Sequence, residues 1–547
     1  MRPSSLSLRS DLAAASLLLA LSLLYFRAGL GPGDQVLSHA GGDTRATFFY
    51  WRHFAARHIA DGVVPLWNPY IFCGMPFIAS LYAALFYPPN VVFLLLPTAA
   101  AINASIILHN FLAGVFMCAL GRGLGMSRWG ALASAVVFMF GAPHALHVFP
   151  GHLDALCTMA WTPLAFLVVE KWCATAHWRF VPLGGLVLGV QILAGQMQYF
   201  YYSCIGVSLY FVWRAVSESL SASGSAGFSL PPAPREQTDP PVADGTPELG
   251  TSRRLGTCGR LTLAAKLAAG FGLMMALGVL CAAPQFLPAL EMSRLSARQH
   301  LSYDFCASFS LPPENLITFL MPTFFGDMVR LPYWGKCYFW EMTAYVGILP
   351  LALALLAVRG RKAWPFVALA SVAVILALGK HTPVFAFLHG YAPGFKLFRG
   401  TSKFIFIALL ALAALSGLGL DALLGQRQST PSRRIRTLGL ALLASCAVCL
   451  LVFTVLLSVD GGRLSWWRLM LYGEASVERY DEAAITMLKS DEIKQSSFAH
   501  ARGNLLRLGI LFGASGLVVL RPRKSLALAL ILGDLFWFGA RLVPTFE

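Results

Sequence analysis

An aspartate set behind two glycines is the first residue here whose type and setting could do chemistry. Asp43 follows Gly41 and Gly42, a flexible backbone that can carry a carboxylate close to a bound polar group. A carboxylate that stays ionised and reaches a hydroxyl is a general base. The same residue could instead cap a helix over 44–61, and spacing alone does not separate the two roles. Asp34, beside Gly33, reads as a turn residue. Further on, the PGHLDAL stretch offers His152 and Asp154 at a predicted helix start. With Asp43 they could hold a divalent ion such as Mg or Mn through hard oxygens and one imidazole, or Asp154 could only cap its helix.

Cations supply the second kind of chemistry. In LPALEMSRLSARQ, Glu291, Arg294 and Arg298 stand at i, i+3 and i+7, one face of a helix. PGFKLFRGTSKF adds Lys396, Arg399 and Lys403. Arginine forks and lysines gathered on an outer face suit a lipid-linked phosphate. The competing reading pairs them with carboxylates such as Glu291 and Glu341. A third group is aromatic: PLWNPYIFCGMP carries Trp67, Asn68, Tyr70 and Phe72 on a turn-rich frame. These rings could stack on a sugar or isoprenoid, or simply anchor at a membrane interface. Gln198, in the Gln196-Met197-Gln198 turn, adds a polar group at a predicted outer helix end.

The elements that must position these residues are almost all apolar helices. Of 547 residues, 57% are hydrophobic and 12% charged, against about 25% charged in soluble domains. With a mean hydropathy of +0.65, the chain falls in the all-α polytopic membrane class. Its net charge of +16 does not indicate nucleic acid, because Lys and Arg cluster in short runs between apolar segments, as the positive-inside rule requires. The eleven cysteines show no CxxC or zinc-like spacing; Cys306 and Cys337 are the pair that could form an external disulfide.

The pattern predicts about thirteen spans, with the N-terminus cytoplasmic and the C-terminus outside. The first is an uncleaved helix ending near residue 30. An N-terminal membrane region, 1–216, holds a large outer loop at 31–101, in which 44–61 forms a helix along the membrane surface and FYPPNVVFLLLP is too short to span. Residues 217–260 read as a disordered cytoplasmic linker. The region 261–425 carries outer loops at 286–341 and 380–402, and 426–547 carries another at 460–503. Every basic cluster falls on the predicted inner face except Lys396, Arg399 and Lys403. His53 and His58 belong to the polar side of the surface helix.

In order along the chain, GGDTRATFFYWRHF, GVVPLWNPYIFCGMPF, YPPN, AGQMQYFYY, PQFLPALEMSRLSAR, SLPPENLITFLMPTFFGD, YVGILPL and PGFKLFRGTSKF with GLGLDAL resemble the YfhO-like bacterial membrane proteins, over most of 40–425. That resemblance implies a GT-C glycosyltransferase in the bacterial cytoplasmic membrane. Such an enzyme moves a sugar from a polyprenyl-phosphate donor to an outer-face acceptor, whether envelope polymer, glycolipid or protein. It also implies that Asp43 is the acidic residue of the first outer loop. Asp43 is followed by Thr44 and Arg45, so there is no adjacent acidic pair of the metal-binding kind. The alternative from the same pattern is a transporter or lipid flippase, which should show ionisable residues at mid-membrane depth; His109, Glu170 and Gln191 are the candidates. A scaffold without chemistry is the third reading.

Overall fold

The computed structural model describes residues 5–31, 34–221, 257–296, 301–425, 432–459, 467 and 490–547. It is all-α apart from two pairs of two-residue strands. Among the described residues, seven helices are long and apolar enough to cross a membrane, or nine if each of two bent pairs is one span. The seven are Thr98–Gly123, Leu153–Thr175, Leu261–Arg294, Thr401–Leu424, Arg433–Leu457, Asp491–Leu520 and Lys524–Leu542. Asp11–Tyr25 and Phe180–Leu193 are apolar but shorter.

The expected thirteen is not reached by this measure, and the reasons are local. The stretch read as spans at 342–358 and 363–379 forms Ile348–Ala357 and Arg361–Ala377, bent by 120° against each other. The expected span at 129–148 bends by 45° at Gly141. Met197–Ser221 has the length of a span but carries Gln198, Arg214 and Glu218. Two helices run beyond their expected ends: Thr257–Arg294 continues through 286–294, which the sequence pattern assigned to an outer loop, and Asp491–Leu520 begins inside the expected loop at 460–503. The rest of that loop apart from Trp467, and most of the linker expected at 217–260, lie outside the described residues.

Small residues let the helices approach closely, as they must where lipid supplies no hydrophobic drive between them. Gly185 and Gly189 of Phe180–Leu193 face Leu277 and Cys281 of the long helix, where an added Cβ would meet side chains at 2.5 and 2.6 Å. Gly439 and Gly516 play the same part between Arg433–Leu457 and Asp491–Leu520. Several buried charged and polar side chains are paired with one another. Glu170 binds Arg214 at 2.6 Å and accepts from Tyr210 at 2.8 Å, and Asp534 binds Arg507 at 2.8 Å while accepting from Tyr345. His109 bonds Tyr87 at 2.6 Å, and the Gln191 amide donates to Thr158 and Thr162.

Two ends of the bundle can be told apart by what gathers there. At one, Asp11, Arg122 and Lys171 line a common hollow, Lys362 donates to Leu124, and Asp421 accepts from the Ser127 backbone at 2.6 Å. At the other, the strand Val36–Leu37 pairs antiparallel with Thr545–Phe546, so the last described residues return to the first loop. Asn103, near the start of Thr98–Gly123, fixes this loop's stem: it accepts from Leu37 N at 2.9 Å and donates to Gly29 and Gln35.

Candidate functional site

Asp43 stands where the first loop docks on the segment 147–152. Its backbone N–H donates to Pro150 at 2.7 Å, His39 N–H to Phe149 at 2.9 Å, and the buried Thr44 hydroxyl to Gly151 at 3.0 Å. The fit requires glycine on both sides. A Cβ on Gly42 would lie 2.5 Å from the Pro150 carbonyl, and one on Gly151, at φ +78°, would lie 2.3 Å from Thr44 Oγ1.

A π-helical turn, Thr44–Phe48, follows and runs into Phe49–Ala60, close to the surface helix expected at 44–61. Asp43 precedes that turn without capping it: its φ and ψ are helical and its side chain accepts no hydrogen bond from the following N–H groups. The carboxylate, 60% exposed, instead lies 3.3 Å from His152 Nε2. The geometry therefore goes against the capping role and leaves an ionisable oxygen facing solvent.

Behind Asp43 runs a chain of hydrogen bonds into the protein. His152 Nδ1 lies 3.0 Å from His147 Nδ1, and His147 Nε2 lies 2.7 Å from the Tyr199 hydroxyl. Both His147 and Tyr199 are buried. Asp154 sits in the first turn of Leu153–Ala160 and accepts from Gln196 Nε2 at 3.0 Å. The divalent site expected from Asp43, His152 and Asp154 is not formed. His152 Nδ1 and one Asp154 oxygen are already engaged, and among the described residues no three His, Cys, Asp or Glu side chains converge to hold a metal.

Gln198, beside Tyr199, donates to the Arg399 and Gly400 carbonyls and so ties the 399–403 loop to the same end. Lys403 is engaged with Glu341 at 2.8 Å, both side chains largely buried, which is the carboxylate pairing rather than a free cation. Arg399 is exposed and lies over Phe305 and Phe309, 4.9 and 5.0 Å from the ring centroids. An aromatic row links it to the histidines: Phe309 stacks on Tyr338 at 5.1 Å, Tyr338 on Trp340 at 5.0 Å, and Trp340 stands edge-on to His152 at 6.2 Å.

Other expected residues stand apart from this group. Glu291 and Arg294 lie exposed on the last turns of Thr257–Arg294 and form no ion pair among the described residues; Arg298 lies outside them. Asn68 is a turn residue, its side chain accepting from Tyr70 N at 2.9 Å. Trp67 and Tyr70 are exposed on the hairpin formed by Trp67–Asn68 and Met75–Pro76, as interface anchors would be. Cys306 and Cys337 are not joined: the Cys306 thiol donates to the Lys396 carbonyl, so the external disulfide is not formed.

Arg52 escaped the sequence reading. It is buried on Phe49–Ala60, donates one N–H to the Ala83 carbonyl, and leaves Nε and Nη2 without partners. It forms no ion pair among the described residues. Burial pulls its guanidinium below the ordinary arginine value, opposed by the Asp154 carboxyl. Arg52 lines a cavity of about 230 Å³ with an apolar rim of Ile59, Leu85, Phe86 and Leu94. A buried cation without a counterion is costly by several kcal/mol, which makes this a place for an anion. Across the same helix, Arg45, His53 and Arg57 edge a groove of about 660 Å³ floored by Phe49, Phe93 and Leu96.

The chain matches no protein-family profile and no curated protein. Among solved structures it is similar to ArnT from Cupriavidus metallidurans bound to undecaprenyl phosphate, at 13% identity over 97% of this chain and 89% of that one, with a TM-score of 0.39. That likeness is too low to assign this chain a fold family.

Proposed function

We propose that this protein is an integral membrane glycosyltransferase of the GT-C type. It takes a sugar from a polyprenyl-phosphate donor and attaches it to a cell-envelope polymer, glycolipid or protein at the outer face of the bacterial cytoplasmic membrane. The observation that carries the reading is the Asp43 carboxylate, which does not cap its helix, pairs with no Lys or Arg among the described residues, and is exposed at one end of an apolar helical bundle. In the reaction, Asp43 removes the proton of the acceptor hydroxyl as that oxygen bonds to the anomeric carbon. The bond from that carbon to the phosphate oxygen breaks, and the lipid phosphate leaves with the electron pair.

The leaving phosphate needs fixed positive charge. Arg399 offers it beside the row of Phe309, Tyr338 and Trp340, on which a sugar ring can lie. Arg52 offers it at the base of an apolar-rimmed cavity suited to the first units of a prenyl chain. Lys403 supports the site through Glu341 rather than by direct contact. Arg294, exposed at the end of Thr257–Arg294, steers the anionic lipid, and Arg298, four residues on in the sequence, adds to that charge. The N-terminus is cytoplasmic in this reading, since the basic end of the bundle lies opposite Asp43. A transporter is less well supported, because Glu170 and Asp534 are ion-paired and His109 is hydrogen-bonded. Comparing the envelope glycans of cells with and without the gene tests the proposal: a sugar missing from one polymer, glycolipid or protein supports it, and identical glycan profiles overturn it.

A further inference from the structure

We infer that Tyr199 and His147 hold His152 as a neutral imidazole that presents its Nε2 proton to Asp43. The inference rests on the reading of Asp43 as the base and assigns positioning roles to three residues that the reaction scheme leaves idle.

The assignment follows from counting protons along the chain of contacts. An ionised carboxylate only accepts, so His152 Nε2, 3.3 Å from Asp43 Oδ2, carries the proton. In a neutral ring the other nitrogen then accepts. Its neighbour at 3.0 Å, His147 Nδ1, must donate. That leaves His147 Nε2 as an acceptor, 2.7 Å from the Tyr199 hydroxyl, which donates. With Asp43 ionised and both rings neutral, one arrangement of protons satisfies all three contacts, and every proton in it points towards Asp43. It places His147 in the Nδ1–H form, the minor tautomer of free histidine.

This arrangement limits what His152 can become. A second proton would sit on its Nδ1, facing the His147 Nδ1–H across 3.0 Å, two donors with no acceptor between them. His152 can charge only if His147 moves its proton to Nε2 and the Tyr199 hydroxyl turns to accept. The other titratable side chains in reach are Asp154, Lys403 and His144. Trp340 is the remaining ring against His152. Asp43 thus has the Nε2 edge of a neutral imidazole 3.3 Å from one oxygen, and no Lys or Arg among the described residues pairs with its carboxylate. The base is aimed without being neutralised by an ion-pair partner.

The test is ring-¹⁵N NMR of the full chain, labelled at histidine and held in lipid nanodiscs, with His147 and His152 assigned by the loss of their signals in His147→Gln and His152→Gln. The inference expects His147 protonated at Nδ1 alone and His152 at Nε2 alone. Tyr199→Phe should abolish the Nδ1–H signature of His147 and let His152 titrate. It should also move the acid limb of the transfer rate to higher pH with KM unchanged. His147 in the Nε2–H form, or a charged His152 at neutral pH, overturns the inference. The wild-type spectrum alone decides this if Tyr199→Phe fails to fold. The spectra are read without turnover, so an Asp43→Asn enzyme that still transfers sugar would overturn the function while leaving the tautomers as measured.

Discussion

At the scale of single residues, two side chains carry the account, and they differ in how visible they were. Asp43 was legible because two glycines precede it and little else near it is acidic; what the sequence left open was whether it capped a helix. The structure answers through the docking of 38–44 on 149–151, a contact more than a hundred residues distant in the chain, which turns the carboxylate towards His152. Arg52 was illegible, because an arginine in FYWRHFAARHIA looks like one more charge on a surface helix. Only the packing of 83–94 over it shows that it is buried without a counterion. Replacing it removes an uncompensated charge, so Arg52→Met should raise the thermal midpoint by about one degree for each kcal/mol gained, with a gain of about 1 kcal/mol or more. The same variant should lower transfer at least tenfold; a thermal scan and a transfer assay on one preparation check both.

At the scale of elements, the helices were largely readable from apolar run length, while their bends and docking were not. The fold-back between Ile348–Ala357 and Arg361–Ala377 leaves no composition signal beyond the basic turn that first suggested two full spans. The site depends on the fit between the first loop and the 147–152 segment. Gly151→Ala introduces a Cβ at φ +78° against Thr44 and should cost about 1–3 kcal/mol, while parting Asp43 from His152. Lost transfer with the helical content unchanged by circular dichroism is the expected result. By contrast, Glu170→Gln breaks the buried pair with Arg214, which joins Thr162–Thr175 to Met197–Ser221. It should lower stability by about 3–5 kcal/mol and leave the transfer rate of the protein that remains folded within about twofold.

At the scale of the whole molecule, composition alone indicated a polytopic chain, and the basic runs gave its two ends. What no local pattern could supply was the return of Thr545–Phe546 to Val36–Leu37, which depends on the packing of every helix between. It puts the first loop and the last described strand at one end. In sealed cells, a membrane-impermeant thiol reagent should therefore label a cysteine placed at residue 547 and one placed at residue 70 alike, and spare one at residue 361. Labelling of 361 with both 547 and 70 spared would reverse the topology.

The central claim is that the Asp43 carboxylate performs the transfer. The direct measurement is the envelope glycan profile of a strain lacking the gene, complemented with either the wild-type chain or Asp43→Asn at equal membrane abundance. The account predicts that the wild type restores the missing sugar and the Asn variant does not, with transfer lowered by about 10²-fold or more. Restoration of the sugar to the wild-type level by Asp43→Asn would contradict it.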